Sequence, residues 1–201
     1  DPVAVEARVG EELDLFEGQA WLGVVPFDMK GVTARGCPAP GALSDFPEIN
    51  LRTYVVHNGK PGVWFLSLDV SSSLAVWAAR TFFHLPYFKA EVSCTSLDQK
   101  VTYEHERGAL CFSASYKPAG KFLTEPGSFE EWATARYCLY CQNKRGRLYR
   151  GEIHHAPWPL QKAKVDIRKN TFLREFPVGE MHPSKLFSKS LDVVVFPLTR
   201  L

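Results

Sequence analysis

The chain has 201 residues, 45% hydrophobic, 13% aromatic and 23% charged, and its 24 Lys+Arg against 22 Asp+Glu leave a formal net charge of +2. That length and composition suit one domain over residues 1–201, with a core that needs no disulfide staples. So balanced a charge excludes nucleic acid as the main partner, and no apolar run approaches the roughly 20 residues that span a bilayer.

The start, Asp1-Pro2-Val3, carries neither an initiator Met nor a signal peptide, so an upstream stretch is expected to be missing. Strands are expected over 21–27, 48–56, 63–70, 90–96, 100–107, 110–116, 136–142, 148–154 and 191–198, where β-branched and aromatic residues alternate with polar ones. Gly36-Cys37-Pro38-Ala39-Pro40-Gly41 reads as an ordered loop, Gly59-Lys60-Pro61-Gly62 and Arg107-Gly108 as turns, and Asn143-Lys144-Arg145-Gly146 as a hairpin connection. One helix is expected from Ser73 to Phe83, capped by Ser72 or Ser73 and ended before Pro86. A second opens with the capping box Ser128 to Glu131, and a third is expected from Pro159 to about Asp166. Many strands and few helices, in no βαβ rhythm, predict an α+β domain, predominantly antiparallel β, built as a barrel or sandwich.

The polar chemistry concentrates on one strand. Alternation puts Glu48, Asn50, Arg52 and Tyr54 on one face, with Ile49, Leu51, Thr53 and Val55 on the other. Such a row either faces water or, if buried, must bond to itself or to a ligand. In the second case Arg52 would hold a carboxylate and Glu48 would act as acid or base, unless Glu48 and Arg52 pair with each other. A second segment, Arg80 to Ala90, joins a helix to a strand through Pro86. Lys89 lies there among Phe82, Phe83, Tyr87 and Phe88; desolvated, it would suit Schiff-base chemistry, and otherwise it reaches water. Arg80, Arg107 and Arg136 are either further anion contacts or surface charge, with Arg136-Tyr137 expected to turn inward. Of the adjacent His154 and His155 at most one faces inward. Cys138-Leu139-Tyr140-Cys141 is a CxxC on a strand, where positions three apart point to opposite faces, so buried structural thiols are expected rather than a metal site. The five cysteines, odd in number and sparse, fit reduced thiols in a cytoplasmic protein. The chain carries no P-loop, GxGxxG, HExxH or nucleophile-elbow motif.

Residues 21–27, Phe46-Pro47-Glu48-Ile49-Asn50-Leu51-Arg52-Thr53-Tyr54-Val55, 62–69, Ala78-Ala79-Arg80, Leu85-Pro86-Tyr87, 136–140 and 155–160 together resemble the YqjF-like family, the domain of unknown function 2071 (DUF2071). That family looks like a distant relative of acetoacetate decarboxylase. The relation implies a barrel-like or sandwich-like β-rich domain, a mostly apolar central cavity and a tendency to homo-oligomerise. Glu48 stands where the decarboxylases carry a glutamate on a central strand. Arg80 and Pro86 match their arginine and proline, but Tyr87 and Phe88 replace the Lys-Lys that follows, so the Schiff-base amine is missing from its place. The expectation is therefore a cavity that binds a small organic anion, a keto acid or an aromatic carboxylate, without cofactor. Glu48, Tyr87 and Lys89 would be its reactive groups, and Asn50, Arg52, Tyr54, Arg80, Arg136 and His155 its ligand contacts. The alternatives are a lyase using Glu48 as acid/base, and a structural or sensor protein without catalysis.

Overall fold

The computed structural model describes residues 2–33, 44–122, 125–176 and 184–201. The loop expected over 36–41, with Cys37, lies outside them. The elements are α1 (Pro2–Val9), β1 (Leu22–Met29), β2 (Phe46–His57), β3 (Lys60–Val70), α2 (Ser73–Phe82), β4 (Tyr87–Lys89), β5 (Glu91–Leu97), β6 (Lys100–Arg107), β7 (Leu110–Phe122), α3 (Phe129–Thr134), β8 (Cys138–Gln142), β9 (Leu148–His155), β10 (Leu160–Asn170), β11 (Leu186–Ser188) and β12 (Val193–Arg200).

These strands form two sheets. One is seven-stranded in the order β1-β2-β3-β8-β9-β12, with β4 added beside β3, and the other is five-stranded in the order β11-β10-β7-β6-β5. All pairings are antiparallel except β3 with β4 and β3 with β8. One core fills the space between the sheets, joining Ile49, Leu51, Val55 and Trp64 to Tyr103, Phe112 and Ala114, with Val5 and Val9 of α1. A second cluster covers the other face of the larger sheet, where Tyr54, Leu68, Leu85 and Leu139 meet Ala133, Trp132 and Tyr87. The central strand β2 is thus buried on both faces.

Local chemistry explains the helix ends. Ser72 caps α2 by accepting from Ala75 N, and Ser128 caps α3 by accepting from Glu131 N, as the sequence predicts. After α2, His84 takes a left-handed φ of 52°, Phe83 and Leu85 both donate to Ala79 O, and Pro86 follows. This ending turns the chain from the helix into β4.

The helix expected over 159–166 is instead strand β10, pairing with β7 and β11. Ala163 and Val165 alternate with exposed Lys162 and Lys164, the period of two that a strand requires. A capping-free Pro-Leu start gave no helix signal strong enough to resist that pairing. Among the described residues a helix that the sequence did not predict is α1, framed by Pro2 at its start and by Gly10 at φ 73° after its end.

At Gly62 an added Cβ would sit 2.8 Å from Cys138 O and 2.7 Å from the Tyr140 ring, because β3 and β8 approach closely where their parallel pairing begins. The clash involves backbone, so Gly62→Ala is expected to lose about 1–3 kcal/mol in urea unfolding.

Candidate functional site

The row on β2 is enclosed. Glu48 is 4% exposed, Asn50 1%, Arg52 8% and Tyr54 3%. Opposite them on β1 stand Phe27, Val25 and Gly23, and on β3 Val70, Leu68 and Phe65. Gly23 lies directly against the row: a Cβ on it would stand in van der Waals contact with Arg52 Cγ and Tyr54 Oη at 3.4 Å.

Tyr87 of β4 donates its phenol to Glu48 Oε2 at 2.7 Å. Burial pushes the Glu48 carboxyl up to about 7, against the opposing pull of hydrogen bonds from Tyr87 and Asn50, and the Asp69 charge adds to the rise. Burial, then the neighbouring Glu48 charge, hold the Tyr87 phenol well above its ordinary value, so it remains a proton donor. Near neutrality this pair holds one carboxyl poised between its two protonation states, the property a proton-exchanging group needs.

Arg52 is the anomaly of the row. Among the described residues it forms no ion pair. Its single hydrogen bond runs from Nη2 to Ala133 O at 3.5 Å, and Nε has no partner. Its guanidinium carbon lies 5.7 Å from the ring centroids of both Tyr54 and Trp158. Two more polar atoms on the same side lack partners, Asn50 Oδ1 and Trp158 Nε1. Arg136, also buried, contrasts with Arg52: it pairs with Asp14, donates to Trp132 O at 2.7 Å and lies over the Tyr54 and Trp132 rings. His155 sits with Nε2 3.1 Å from Arg136 O and Nδ1 2.8 Å from Ala156 O, so it braces the turn that carries Arg136. Tyr137, expected to turn inward with Arg136, is exposed and stacks on His155.

The remaining predicted residues fall outside this enclosure. Lys89 is exposed and its amine donates to Ser71 O; none of the described contacts joins it to Glu48. Arg80 is exposed, donates from Nε to Tyr87 O at 2.6 Å and acts on the strand's backbone. Cys138 belongs to the core between the sheets and Cys141 to the opposite cluster, and burial pushes the Cys141 thiol up to about 11. Glu48 and Arg52 do not pair with each other.

Asp69 escaped the sequence reading. It is fully buried on the inter-sheet side of β3, bonded to His105 Nε2 at 2.7 Å and to Arg107 Nε at 2.7 Å and Nη2 at 3.2 Å. These donors hold its carboxyl below the usual range in spite of burial. The available signal was His105 and Arg107, two side chains with N–H donors two apart on one strand and so on one face. The open groove beside Lys89 and Arg107 is lined by neither Glu48 nor Arg52.

A family model described as "Uncharacterized conserved protein", DUF2071, matches residues 7–192. The uncharacterized protein YqjF of Bacillus subtilis (strain 168) is 42% identical over 196 residues, covering 94% of this chain and 80% of that protein. Among solved structures, an acetoacetate decarboxylase aligns with a TM-score of 0.67 at 16% identity, over 100% of this chain and 82% of the other. The acetoacetate decarboxylase from Legionella pneumophila gives 0.68 at 12%, over 100% and 80%. The enduracididine biosynthesis enzyme MppR complexed with pyruvate gives 0.59 at 14%, over 100% and 82%. The shared feature is the acetoacetate decarboxylase-like fold.

Proposed function

Because the chain belongs to the uncharacterized DUF2071 family and has an acetoacetate decarboxylase-like fold, we propose that it binds a small organic anion on the Glu48–Tyr54 row. The carboxylate of the ligand would lie on Arg52, within reach of the Glu48–Tyr87 pair. The observation that carries this reading is the buried Arg52 guanidinium with no carboxylate beside it among the described residues. A charge held out of water needs a counter-charge, and none of the described side chains supplies one. The partnerless Nε, Trp158 Nε1 and Asn50 Oδ1 add two donors and one acceptor, and the neighbouring Phe27, Tyr54 and Trp158 rings add apolar wall. A keto acid is the first class to test, because a neighbour of the same fold is described with pyruvate.

Thermal unfolding against pyruvate, acetoacetate, benzoate and phenylpyruvate tests it. A ligand at about 100 times its Kd adds about 2.7 kcal/mol to native stability. For a chain of this size that raises Tm by roughly 5–10 °C. No shift with any carboxylate at concentrations up to tens of millimolar would remove the reading.

A second reading, a lyase with Glu48 as acid/base, is favoured by the carboxyl poised near 7. Steady consumption of a β-keto acid that stops in Glu48→Gln supports it. Tyr87 in place of a lysine, and the exposed Lys89, weigh against the Schiff-base form, so borohydride with a β-keto acid is expected to leave Lys89 unlabelled.

A further inference from the structure

Strand β4 is three residues long, and its three side chains go to three different places. Tyr87 reaches Glu48, Lys89 reaches Ser71 O, and Phe88, alternating with them, points the other way. Its backbone ties to the sheet are few: Leu68 N donates to Pro86 O at 3.0 Å, Ala90 N donates to Val70 O at 3.0 Å, and the parallel register covers Leu68↔Tyr87, Asp69↔Phe88 and Val70↔Lys89. A strand so short has little intrinsic hold on its own placement.

Phe88 has an unusual environment. The guanidinium carbon of Arg107 lies 4.2 Å from its ring centroid and that of Arg80 lies 5.0 Å away. Neither cation is free to drift. Arg107 is forked onto the buried Asp69, which His105 holds in turn, and Arg80 donates to Tyr87 O at 2.6 Å. Each guanidinium therefore joins Phe88 to something fixed: Arg107 to the sheet, Arg80 to α2 and to the strand's own backbone.

We propose that Phe88, held by Arg80 and by the Asp69-anchored Arg107, is a positioning residue that keeps the Tyr87 phenol on Glu48. The inference deepens the proposed function, since it matters to function only where the Glu48–Tyr87 pair works, but its test reads the pair directly and needs no ligand. The titratable groups that face Glu48 are Tyr87 from β4, Asp69 from β3 and Tyr103 from β6, the last a phenol that burial keeps protonated; Asn50 is its polar neighbour on β2. Of these, only the Tyr87 bond depends on β4.

The experiment follows the Glu48 side-chain carboxyl by 13C NMR through a pH titration, in wild type and in Tyr87→Phe, Phe88→Leu and Phe88→Tyr. Loss of the Tyr87 bond removes an interaction that favours the carboxylate, so Tyr87→Phe is expected to raise the Glu48 midpoint by about one pH unit. Phe88→Leu, which leaves the phenol in the chain, is expected to raise it comparably, and Phe88→Tyr, which keeps the ring, to leave it near wild type. A wild-type midpoint in folded Phe88→Leu overturns the proposal, and so does a wild-type midpoint in Tyr87→Phe. Should Phe88→Leu fail to fold, Arg80→Gln substitutes: the residue is exposed, and its loss removes one cation from Phe88 and the bond to Tyr87 O. An upward shift there supports the proposal; an unmoved midpoint overturns it. Failure of the anion-binding reading would appear separately, as carboxylates that give no thermal shift to a wild-type protein with a normal Glu48 titration.

Discussion

Arg52→Met is expected to abolish stabilisation by every carboxylate that stabilises the wild type, and at the same time to make the ligand-free protein more stable. The two effects share one cause. Arg52 is 8% exposed, has one hydrogen bond of 3.5 Å and has no carboxylate partner among the described residues. Its charge keeps the desolvation cost without the Coulomb return that an ion pair would give. The ring faces of Tyr54 and Trp158, 5.7 Å away, offset part of that cost. Methionine fills similar space without a charge, and the expected gain is about 1–2 kcal/mol in urea unfolding without ligand. With a carboxylate at about 100 times its wild-type Kd, the wild type recovers about 2.7 kcal/mol and the variant nothing. The order of stabilities therefore inverts on adding ligand. Arg52→Met that is less stable than wild type without ligand, and still stabilised by it, would show that the guanidinium is a structural brace.

Glu48→Gln is expected to remove a large part of the stability loss the protein suffers between about pH 4.5 and pH 8. The Glu48 carboxyl lies near its ordinary 4.5 in the unfolded chain and at about 7 in the folded one. Between those values the native state binds more protons than the unfolded state, so stability falls as pH rises. Below 4.5 both states hold the proton and the burial costs nothing; above 7 both have lost it and the full cost of a buried carboxylate stands. That cost is about 3 kcal/mol for a difference of this size. Glutamine has no proton to lose, so the variant matches the wild type near pH 4.5 and exceeds it by about 3 kcal/mol at pH 8. Asp69 works in the opposite direction: its depressed carboxyl contributes stability that is present above its unfolded value and lost as the pH falls through the folded one. That contribution is present in both proteins and cancels in their difference except for the Asp69–Glu48 repulsion, the smallest of the causes that act on Glu48. Parallel pH profiles for the two would show that Glu48 is ionised in the native state across the range.

The parts that the sequence predicted well are those set by neighbours a few positions apart. Ser72 and Ser128 cap their helices through their own next turn, and Pro86 ends the approach to β4 wherever the rest of the chain goes. The alternation of Glu48, Asn50, Arg52 and Tyr54 follows from strand geometry alone, as does the splitting of Cys138 and Cys141 between two cores. The helix expected over 159–166 gives way to a strand because Lys162, Ala163 and Lys164 carry no strong strand preference of their own, and only the partners β7 and β11 select it. For Lys89 the sequence leaves two readings, an amine desolvated by its aromatic neighbours or one that reaches water; in space it leaves those rings for Ser71 O and solvent.

What the sequence determined by itself was the family, the α+β class and which four polar side chains share one face of β2 (Glu48, Asn50, Arg52, Tyr54), because those properties are local or periodic and need no knowledge of the chain's distant parts. The tertiary structure decided which of those groups are answered and which are not. Tyr87 comes from 39 residues away to meet Glu48, Asp14 from 122 residues away to meet Arg136, and His105 and Arg107 cross from the other sheet to meet Asp69. Arg52 receives no such partner among the described residues. Whether a buried charge is compensated depends on which distant segments the fold brings to it, and that long-range closure is the information that alternation along a single strand does not carry.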